Sequence, residues 1–228
     1  MPDKASWPLG FRIGKRPDED ALAFVESFRD VPAAHVSDCM GRMVGTTRLR
    51  AYHGFGHMCG VALTVRVRPG DNLMIHKALD MARPHDVIVI DGGGSTSQAL
   101  LGELMRATAL SKGVAGFVVD GAIRDAAAFA DGKLACFARG HTHRGPSKEG
   151  PGEINAPISC DGLAVMPGDL VIGDCDGVIA VRPHDAAGLA EAVKAYAARE
   201  AAIMLANESG RTDSDRIDSI LRSKGVPL

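Results

Sequence analysis

Between about residues 60 and 135 the chain alternates short, almost wholly apolar runs with amphipathic runs of helical length. That alternation is what most limits its fold. GVALTVRVRPGD (60–71) reads as a strand, NLMIHKALDMA (72–82) as a helix and VIVIDGGG (87–94) as a buried strand entering a glycine turn. SQALLGELMRATALSKG (97–113) reads as a helix, GFVVDGAIRD (116–125) as a strand and turn, and AAAFADG (126–132) as a short helix. Strands separated by crossover helices return to the same end of a sheet, so they run parallel. In the first of them Val61, Leu63, Val65 and Val67 alternate with Ala62, Thr64, Arg66 and Arg68, which predicts one buried and one wet face.

The flanks differ in style. Residues 1–17 are basic, contain Pro and Gly, and read as an arm. A helix is expected from Asp18, with Asp18, Glu19 and Asp20 complementing its dipole, ending at Pro32. A short helix is expected from near Ser37 to Gly41, with Ser37 or Asp38 as its cap. After residue 134, LACFARG, APISC, LAVMP and DLVIGDCDGVIAVRP read as short strands joined by Asp-Gly and Pro-Gly-Asp turns, which favour antiparallel hairpins. HTHRGPSKEGPGE (141–153) reads as a surface loop; an Ala-rich helix runs from Asp185 to about Gly210, and DSDRIDSILRSKG closes the chain as a further helix. No linker divides residues 18–228, so the expectation is one α/β domain with a mixed sheet and terminal helices.

Composition removes several function classes. With 46% hydrophobic and 24% charged residues among 228, the chain has the balance of a globular protein. A net charge of −2 offers no electrostatic footprint for nucleic acid or an anionic membrane. The N-terminus lacks the apolar core of a signal peptide, and no apolar run approaches membrane-spanning length. The five cysteines (Cys39, Cys59, Cys136, Cys160, Cys175) form no C-x-x-C pair and read as reduced thiols, so a cytoplasmic protein is expected.

The chemistry concentrates between Asp91 and Asp125. Two turns there follow buried strands, and in open sheets the crevice beyond the carboxyl ends of parallel strands is where ligands bind. The first turn, Gly92–Gly94, admits close backbone approach, although it matches neither the dinucleotide fingerprint nor the P-loop. The second delivers Arg124 beside Asp125. A guanidinium grips a carboxylate or an enolate oxygen with two donors, and a carboxylate anchors a hard cation. Taken without context, the same pair also reads as a surface ion pair or a helix cap.

These residues resemble the RraA-like family, in its 4-hydroxy-4-methyl-2-oxoglutarate / 4-carboxy-4-hydroxy-2-oxoadipate aldolase branch. The similarity is carried by GGGSTSQALLGELMRATALSKGVAGFVVDGAIRD and extends to HVSDCMGR, GVALTVRV, CFARGHTHRGP and PGDLVIGDCDGVIAV. Its discriminating pattern, an acid, twenty residues and Arg-Asp, is met by Glu103 followed by Arg124 and Asp125. The resemblance implies a swivelling β/β/α fold, a homotrimer or homohexamer, and a metal-dependent class II lyase. Such an enzyme cleaves 4-hydroxy-2-oxo acids to pyruvate and a second 2-oxo acid through a pyruvate enolate, and decarboxylates oxaloacetate as a side reaction. It further implies Asp125 as the protein ligand of Mg²⁺ or Mn²⁺ and Arg124 on the keto oxygen. The backbone of Gly102, Glu103, Leu104 and Met105 would hold the pyruvoyl carboxylate, with Glu103 also acting through water around the metal. Family members tend to carry an acid where Glu200 stands, which offers Glu200 an outer role at a neighbouring subunit's metal. The family also contains non-catalytic regulators that bind a ribonuclease, the alternative function.

Other residues read more plainly. His53 and His57 are four apart in a glycine-rich stretch and are expected in a loop or core rather than on a metal. His141 and His143 are expected in solvent; Asp174, Asp176, Asp91 and Asp120 are expected to shape turns. Lys112, beside Gly113, reads as a charge on a helix C-terminus rather than a Schiff-base nucleophile.

Overall fold

The computed structural model describes residues 8–211 and 214–228. In chain order these form β1 (Phe11–Ile13), α1 (Val25–Phe28), α2 (Ala33–Cys39), β2 (Arg50–Ala51), β3 (Met58–Val67), α3 (Leu73–Met81), β4 (Asp86–Asp91), β5 (Ala99–Leu101), α4 (Glu103–Ser111) and β6 (Gly116–Ile123). They continue with α5 (Ala126–Phe129), β7 (Ala135–His141), β8 (Gly152–Ile154), β9 (Ile158–Cys160), β10 (Leu163–Val165), β11 (Leu170–Asp174), β12 (Gly177–Val181), α6 (Pro183–Glu208) and α7 (Ser214–Ser223).

A mixed sheet in the order β1-β8-β3-β4-β6-β7-β2 forms the centre, and β3, β4 and β6 are parallel as the crossover pattern requires. β7, expected in an antiparallel hairpin, instead runs parallel to β6 because the α5 turn carries the chain back to the same end of the sheet. One face packs Leu63, Val65, Ile88, Ile90, Phe117 and Val119 against α3, α4 and Phe129. The opposite face places Ala62, Val87, Val89, Val118 and Phe137 under the β9–β10 and β11–β12 hairpins. A third apolar cluster joins α1, α2 and the first turns of α6 to β11 and β12. The result is one α/β domain with a mixed sheet, and among the described residues no helix is long and apolar enough to cross a membrane.

Covering both faces overturns one expectation. The second face of β3 is wet only toward its end: Ala62 and Thr64 are buried, with the Thr64 hydroxyl donating to Ala156 O at 2.7 Å, whereas Arg66 and, just past the strand, Arg68 are exposed as expected. Alternation marks a half-exposed strand only when the sheet has a free face. Residues 97–113 are likewise not one helix, because Ala99–Leu101 pairs with β6 and α4 begins only after Gly102. The helix expected from Asp18 shrinks to a 3₁₀ turn and the single turn of α1, and Pro32 opens α2 rather than closing the preceding helix. Asp38 does not cap α2: it lies near that helix's end and binds Arg42 Nε at 2.6 Å and the Tyr196 hydroxyl at 2.5 Å. Asp174, from β11, supplies the first turn instead by accepting from Ala33 N–H at 2.8 Å. Residues 1–7 of the expected arm lie outside the described residues, whereas Phe11–Ile13 pairs with β8 and Arg16 clasps Asp86 at 2.7 and 2.6 Å.

Asp71 is the buried charge that ties the loop after β7 to the β3–α3 turn. Its Oδ2 accepts from the Ser147 hydroxyl and from Glu149 N–H, both at 2.7 Å, and its Oδ1 from Leu73 N–H at 3.0 Å. Burial raises its pKa, but these donors and Gly150 N–H outweigh it and hold the carboxyl at about 2. A depressed folded value means that this stabilisation is complete above the unfolded pKa near 3.8 and is lost as pH falls through 2. At 1.36 kcal/mol per pKa unit it is about 2 kcal/mol. Asp71→Asn is therefore expected to lower the neutral-pH Tm by about 4–8 °C and to flatten the acid limb of the stability curve between pH ~4 and ~2. Thermal melts across pH check both; an unchanged acid limb would show that Asp71 is not the titrating group.

Candidate active site

Four chain segments meet beyond the carboxyl ends of the parallel strands. β3 ends at Val67 and leads to Asn72 and His76; β6 ends at Ile123 and leads to Arg124; β7 ends at His141 and leads to Gly145, Pro146 and Lys148. The fourth is the β5–α4 junction, Ala99 to Met105, held beside β6 by the bond from Arg124 N–H to Leu101 O at 2.9 Å. Together they enclose a cavity of about 320 Å³ lined by Arg124, Gly102, Leu104, Met105, Asn72, His76 and Lys148, among others.

The Arg124–Asp125 corner is built by backbone conformation. Asp125 sits in the left-handed region at φ 53° and starts α5, a turn that places it at the helix entry while Arg124 lines the cavity. Arg124 Nε lies 3.5 Å from Asp125 Oδ2, and the side chains are 42% and 44% exposed, so both remain open to a ligand. Asp125 Oδ2 also accepts from Glu103 N–H at 3.0 Å, which locks the corner to the start of α4. The first intrahelical bond there runs from Arg106 N–H to Gly102 O at 3.0 Å. The N–H groups of Leu104 and Met105 precede it and have no helical acceptor, as anion binding at a helix N-terminus requires. Gly102 is required by closeness rather than by dihedral angle: a Cβ there would lie 2.5 Å from Asp125 Oδ2 and 2.7 Å from Arg124 Cγ.

The glycine turn that looked most like a ligand loop faces protein. A Cβ at Gly92 would meet Leu100 Cδ1 at 2.5 Å and Asp120 O at 2.8 Å, and one at Gly94, where φ is 71°, would meet the Arg139 guanidinium at 3.2 Å. The chain then enters β5, so the helix N-terminus next to Arg124 belongs to Gly102 and Glu103 instead.

Gly102, Glu103, Leu104, Met105, Arg124 and Asp125 thus come together, with Glu103 touching Asp125 through its backbone. Glu200 does not join them in this chain: its Oε2 lies 2.5 Å from His35 Nε2, between α2 and α6. His53 engages the backbone of Cys136 and Gly56 through its two ring nitrogens and packs on Phe137, a core role, while His141 meets the Tyr52 hydroxyl at 3.2 Å. Lys112 donates to Asp80 O at the far end of α4. Asp91 accepts from Gly93 N–H at 3.2 Å and shapes its turn as expected, whereas Asp120 lies within β6 rather than at its end and is buried, binding Arg139 Nε at 2.6 Å and accepting from Asp161 N–H at 3.0 Å. All five cysteines are free.

Sequence reasoning missed Asn72, His76 and Lys148. The first two had a signal, being polar residues four apart at a turn after a parallel strand. Lys148 had none, since only the fold brings that loop back over α3. Desolvation, followed by the neighbouring Lys148 ammonium, pushes the His76 imidazole below its ordinary value.

Comparison with known proteins identifies the family. The RraA-like model (Aldolase/RraA) matches residues 33–180. A Halalkalibacterium halodurans protein provisionally named 4-hydroxy-4-methyl-2-oxoglutarate aldolase is 41% identical over 161 residues, 70% of this chain and 77% of that one. The 4-hydroxy-4-methyl-2-oxoglutarate aldolase of Thermus thermophilus is 35% identical over 130 residues, 57% of this chain and 79% of that one. Among solved structures, the RNA-processing inhibitor RraA from Thermus thermophilus superposes with a TM-score of 0.62 at 30% identity, covering 68% of this chain and 93% of that one. With a family model spanning well over half its length and the Arg-Asp corner in place, this chain belongs to the RraA-like family.

Proposed function

We propose that this protein is a divalent-cation-dependent aldolase. It cleaves 4-hydroxy-4-methyl-2-oxoglutarate or 4-carboxy-4-hydroxy-2-oxoadipate to pyruvate and a second 2-oxo acid, pyruvate or oxaloacetate, and decarboxylates oxaloacetate as a side reaction. The observation that carries this reading is the cavity that holds the Arg124 guanidinium beside the free N–H groups of α4, with the Asp125 carboxylate 3.5 Å from that guanidinium. The names of the H. halodurans and T. thermophilus relatives support it.

Breaking the C3–C4 bond leaves an electron pair on C3, which delocalises onto the C2 oxygen as the enolate of pyruvate, while the C4 hydroxyl gives its proton to water at the corner as C4 becomes a carbonyl, and the enolate then takes a proton from water at C3 to leave as pyruvate. The N–H groups of Leu104 and Met105 bind the C1 carboxylate at the positive end of α4. Arg124 donates to the C2 oxygen as charge develops there; one preorganised donor of this kind is worth about 3 kcal/mol. Glu103 N–H keeps Asp125 in register with Arg124, and the exposed first turn of α4 leaves the Glu103 carboxylate to order water at the corner.

Asp125 fits Mg²⁺ or Mn²⁺. It offers one accessible hard oxygen donor set, and among the described residues no three His, Cys, Asp or Glu side chains converge to cage an ion. Such ions are held by one or two carboxylates, with water and substrate oxygens completing the shell. When bound, the cation supplies a Lewis acid for the charge on the keto acid. The exposed apolar side chains of Ile203, Met204, Leu205, Ile217 and Ile220 on α6 and α7 suit an interface with another chain. The homotrimer or homohexamer, in which Glu200 would act toward a neighbouring subunit, is what the family resemblance implies.

A lactate-dehydrogenase-coupled assay tests the reading. Pyruvate should appear from the hydroxy acids, cease with EDTA and return with Mg²⁺ or Mn²⁺. Turnover that survives chelation removes the cation from the mechanism. No pyruvate from any of these acids removes the aldolase and favours a ribonuclease-binding regulator.

A further inference from the structure

The half of the cavity opposite the α4 N-terminus has no task in holding a pyruvoyl group. Its wall is the α3 entry and the loop after β7. At its base Asn72 is 3% exposed; its amide Nδ2 donates to Leu100 O at 3.0 Å. That carbonyl can only accept, so the amide orientation is settled and Oδ1 is the other atom. Oδ1 is buried and has no hydrogen-bond partner. A buried acceptor without a donor is uncommon in a folded protein and calls for an explanation, which a ligand hydroxyl in the cavity that Asn72 lines would supply.

At the rim stands Lys148, exposed, with no carboxylate paired to it among the described residues. Its position is set by its neighbours in sequence. Ser147 N–H donates to Gly70 O at 2.8 Å, Asn72 N–H to Ser147 O at 3.0 Å, and Glu149 N–H to Asp71 Oδ2 at 2.7 Å. The backbone is therefore clamped on both sides of a lysine whose side chain is left free. His76 shares this wall, but desolvation and the Lys148 ammonium disfavour its cation, so the fixed positive charge is that of Lys148.

We infer that Asn72 and Lys148 form the subsite for the departing half of the substrate, with Asn72 Oδ1 accepting from the C4 hydroxyl and the Lys148 ammonium pairing with the distal carboxylate. This rests on the reading under Proposed function and adds the residues that select a 4-hydroxy acid with a second carboxylate. Asp71 is the positioning residue behind both, since it anchors the loop to the turn from which Asn72 departs.

The test uses the full chain with Mg²⁺ present. 2-Oxoglutarate, which carries the distal carboxylate but no hydroxyl, and pyruvate, which carries neither, are titrated calorimetrically into the wild type and into Lys148→Met and Lys148→Arg. The ratio of 2-oxoglutarate to pyruvate affinity should fall at least tenfold in Lys148→Met and recover largely in Lys148→Arg. A ratio that moves less than twofold in Lys148→Met overturns the carboxylate assignment. For the hydroxyl, Asn72→Leu should lower the ratio of kcat/KM for 4-hydroxy-2-oxoglutarate over oxaloacetate, which has no hydroxyl, by about 10–100-fold. An unchanged ratio overturns that assignment. Thermal melts of each variant separate lost recognition from lost folding, and Asn72→Ala, which removes the acceptor without adding bulk, serves with the same expected and overturning outcomes where Asn72→Leu does not fold. The two readings fail separately. Lys148-dependent binding of 2-oxoglutarate without any pyruvate release from hydroxy acids removes the aldolase alone, whereas pyruvate release with Lys148-independent selectivity removes the subsite alone.

Discussion

Arg124→Ala is expected to lower kcat/KM for pyruvate release about 10²–10³-fold, the size of loss that follows removal of one preorganised donor to a developing oxyanion. The fold should hardly notice. Arg124 is 42% exposed, and its only ion-pair partner among the described residues is its own neighbour Asp125 at 3.5 Å. Exposed pairs of this kind contribute about 0–1 kcal/mol, so Tm should move by no more than a few degrees. Arg124→Lys keeps the charge but loses the planar fork, and is expected to recover only part of the rate. Steady-state kinetics beside thermal melts check this. A variant within threefold of the wild type would take Arg124 out of the reaction.

Gly102→Ala should be nearly as damaging, for a reason visible only in three dimensions. The backbone at Gly102 is extended, at φ −158° and ψ −161°, a conformation any residue adopts, so the methyl group itself is the perturbation. It would stand 2.5 Å from Asp125 Oδ2 and 3.0 Å from Arg124 Nε, both on side chains that can swing away into solvent. The cost therefore falls on geometry more than on stability. A displacement of about 1 Å in a positioned group costs on the order of 10²-fold in rate, and a loss of that order is expected with Tm almost unchanged. Gly92→Ala makes the contrast. Its Cβ would meet backbone, Asp120 O at 2.8 Å, and Leu100 in the core, so it should destabilise the fold by about 1–3 kcal/mol. Equal loss of Tm in both variants would contradict this division between a corner built for a ligand and a turn built for packing.

The reversal at these two glycine positions shows what periodicity and turn chemistry can report. Gly92–Gly94 announced itself by composition, yet it serves the contact among β4, β6 and Arg139. Gly102 stood inside what read as an unbroken helix and turns out to be the hinge between β5 and α4. The segment 97–113 misleads because Leu100 and Leu101 suit a buried strand and a buried helix equally well. Pairing with β6, which decides between them, is a long-range event.

Local patterning by itself established most of the parallel core: β3, β4 and β6 arise from apolar runs, and α3 and α4 from the amphipathic segments between them, because hydrogen-bond geometry and side-chain period act over a few residues, whereas β7, which read as part of an antiparallel hairpin, joins them only through its pairing with β6. The Glu103, Arg124 and Asp125 spacing was equally legible, being a matter of counting along one chain. Tertiary structure alone decided the rest. The second face of β3 was covered at Ala62 and Thr64 by distant hairpins, Glu200 was drawn to His35, and Lys148 was carried over Asn72 by a loop clamped on Asp71. Such meetings depend on where distant segments of backbone find their hydrogen-bond partners, and no short window of sequence contains both halves of those bonds.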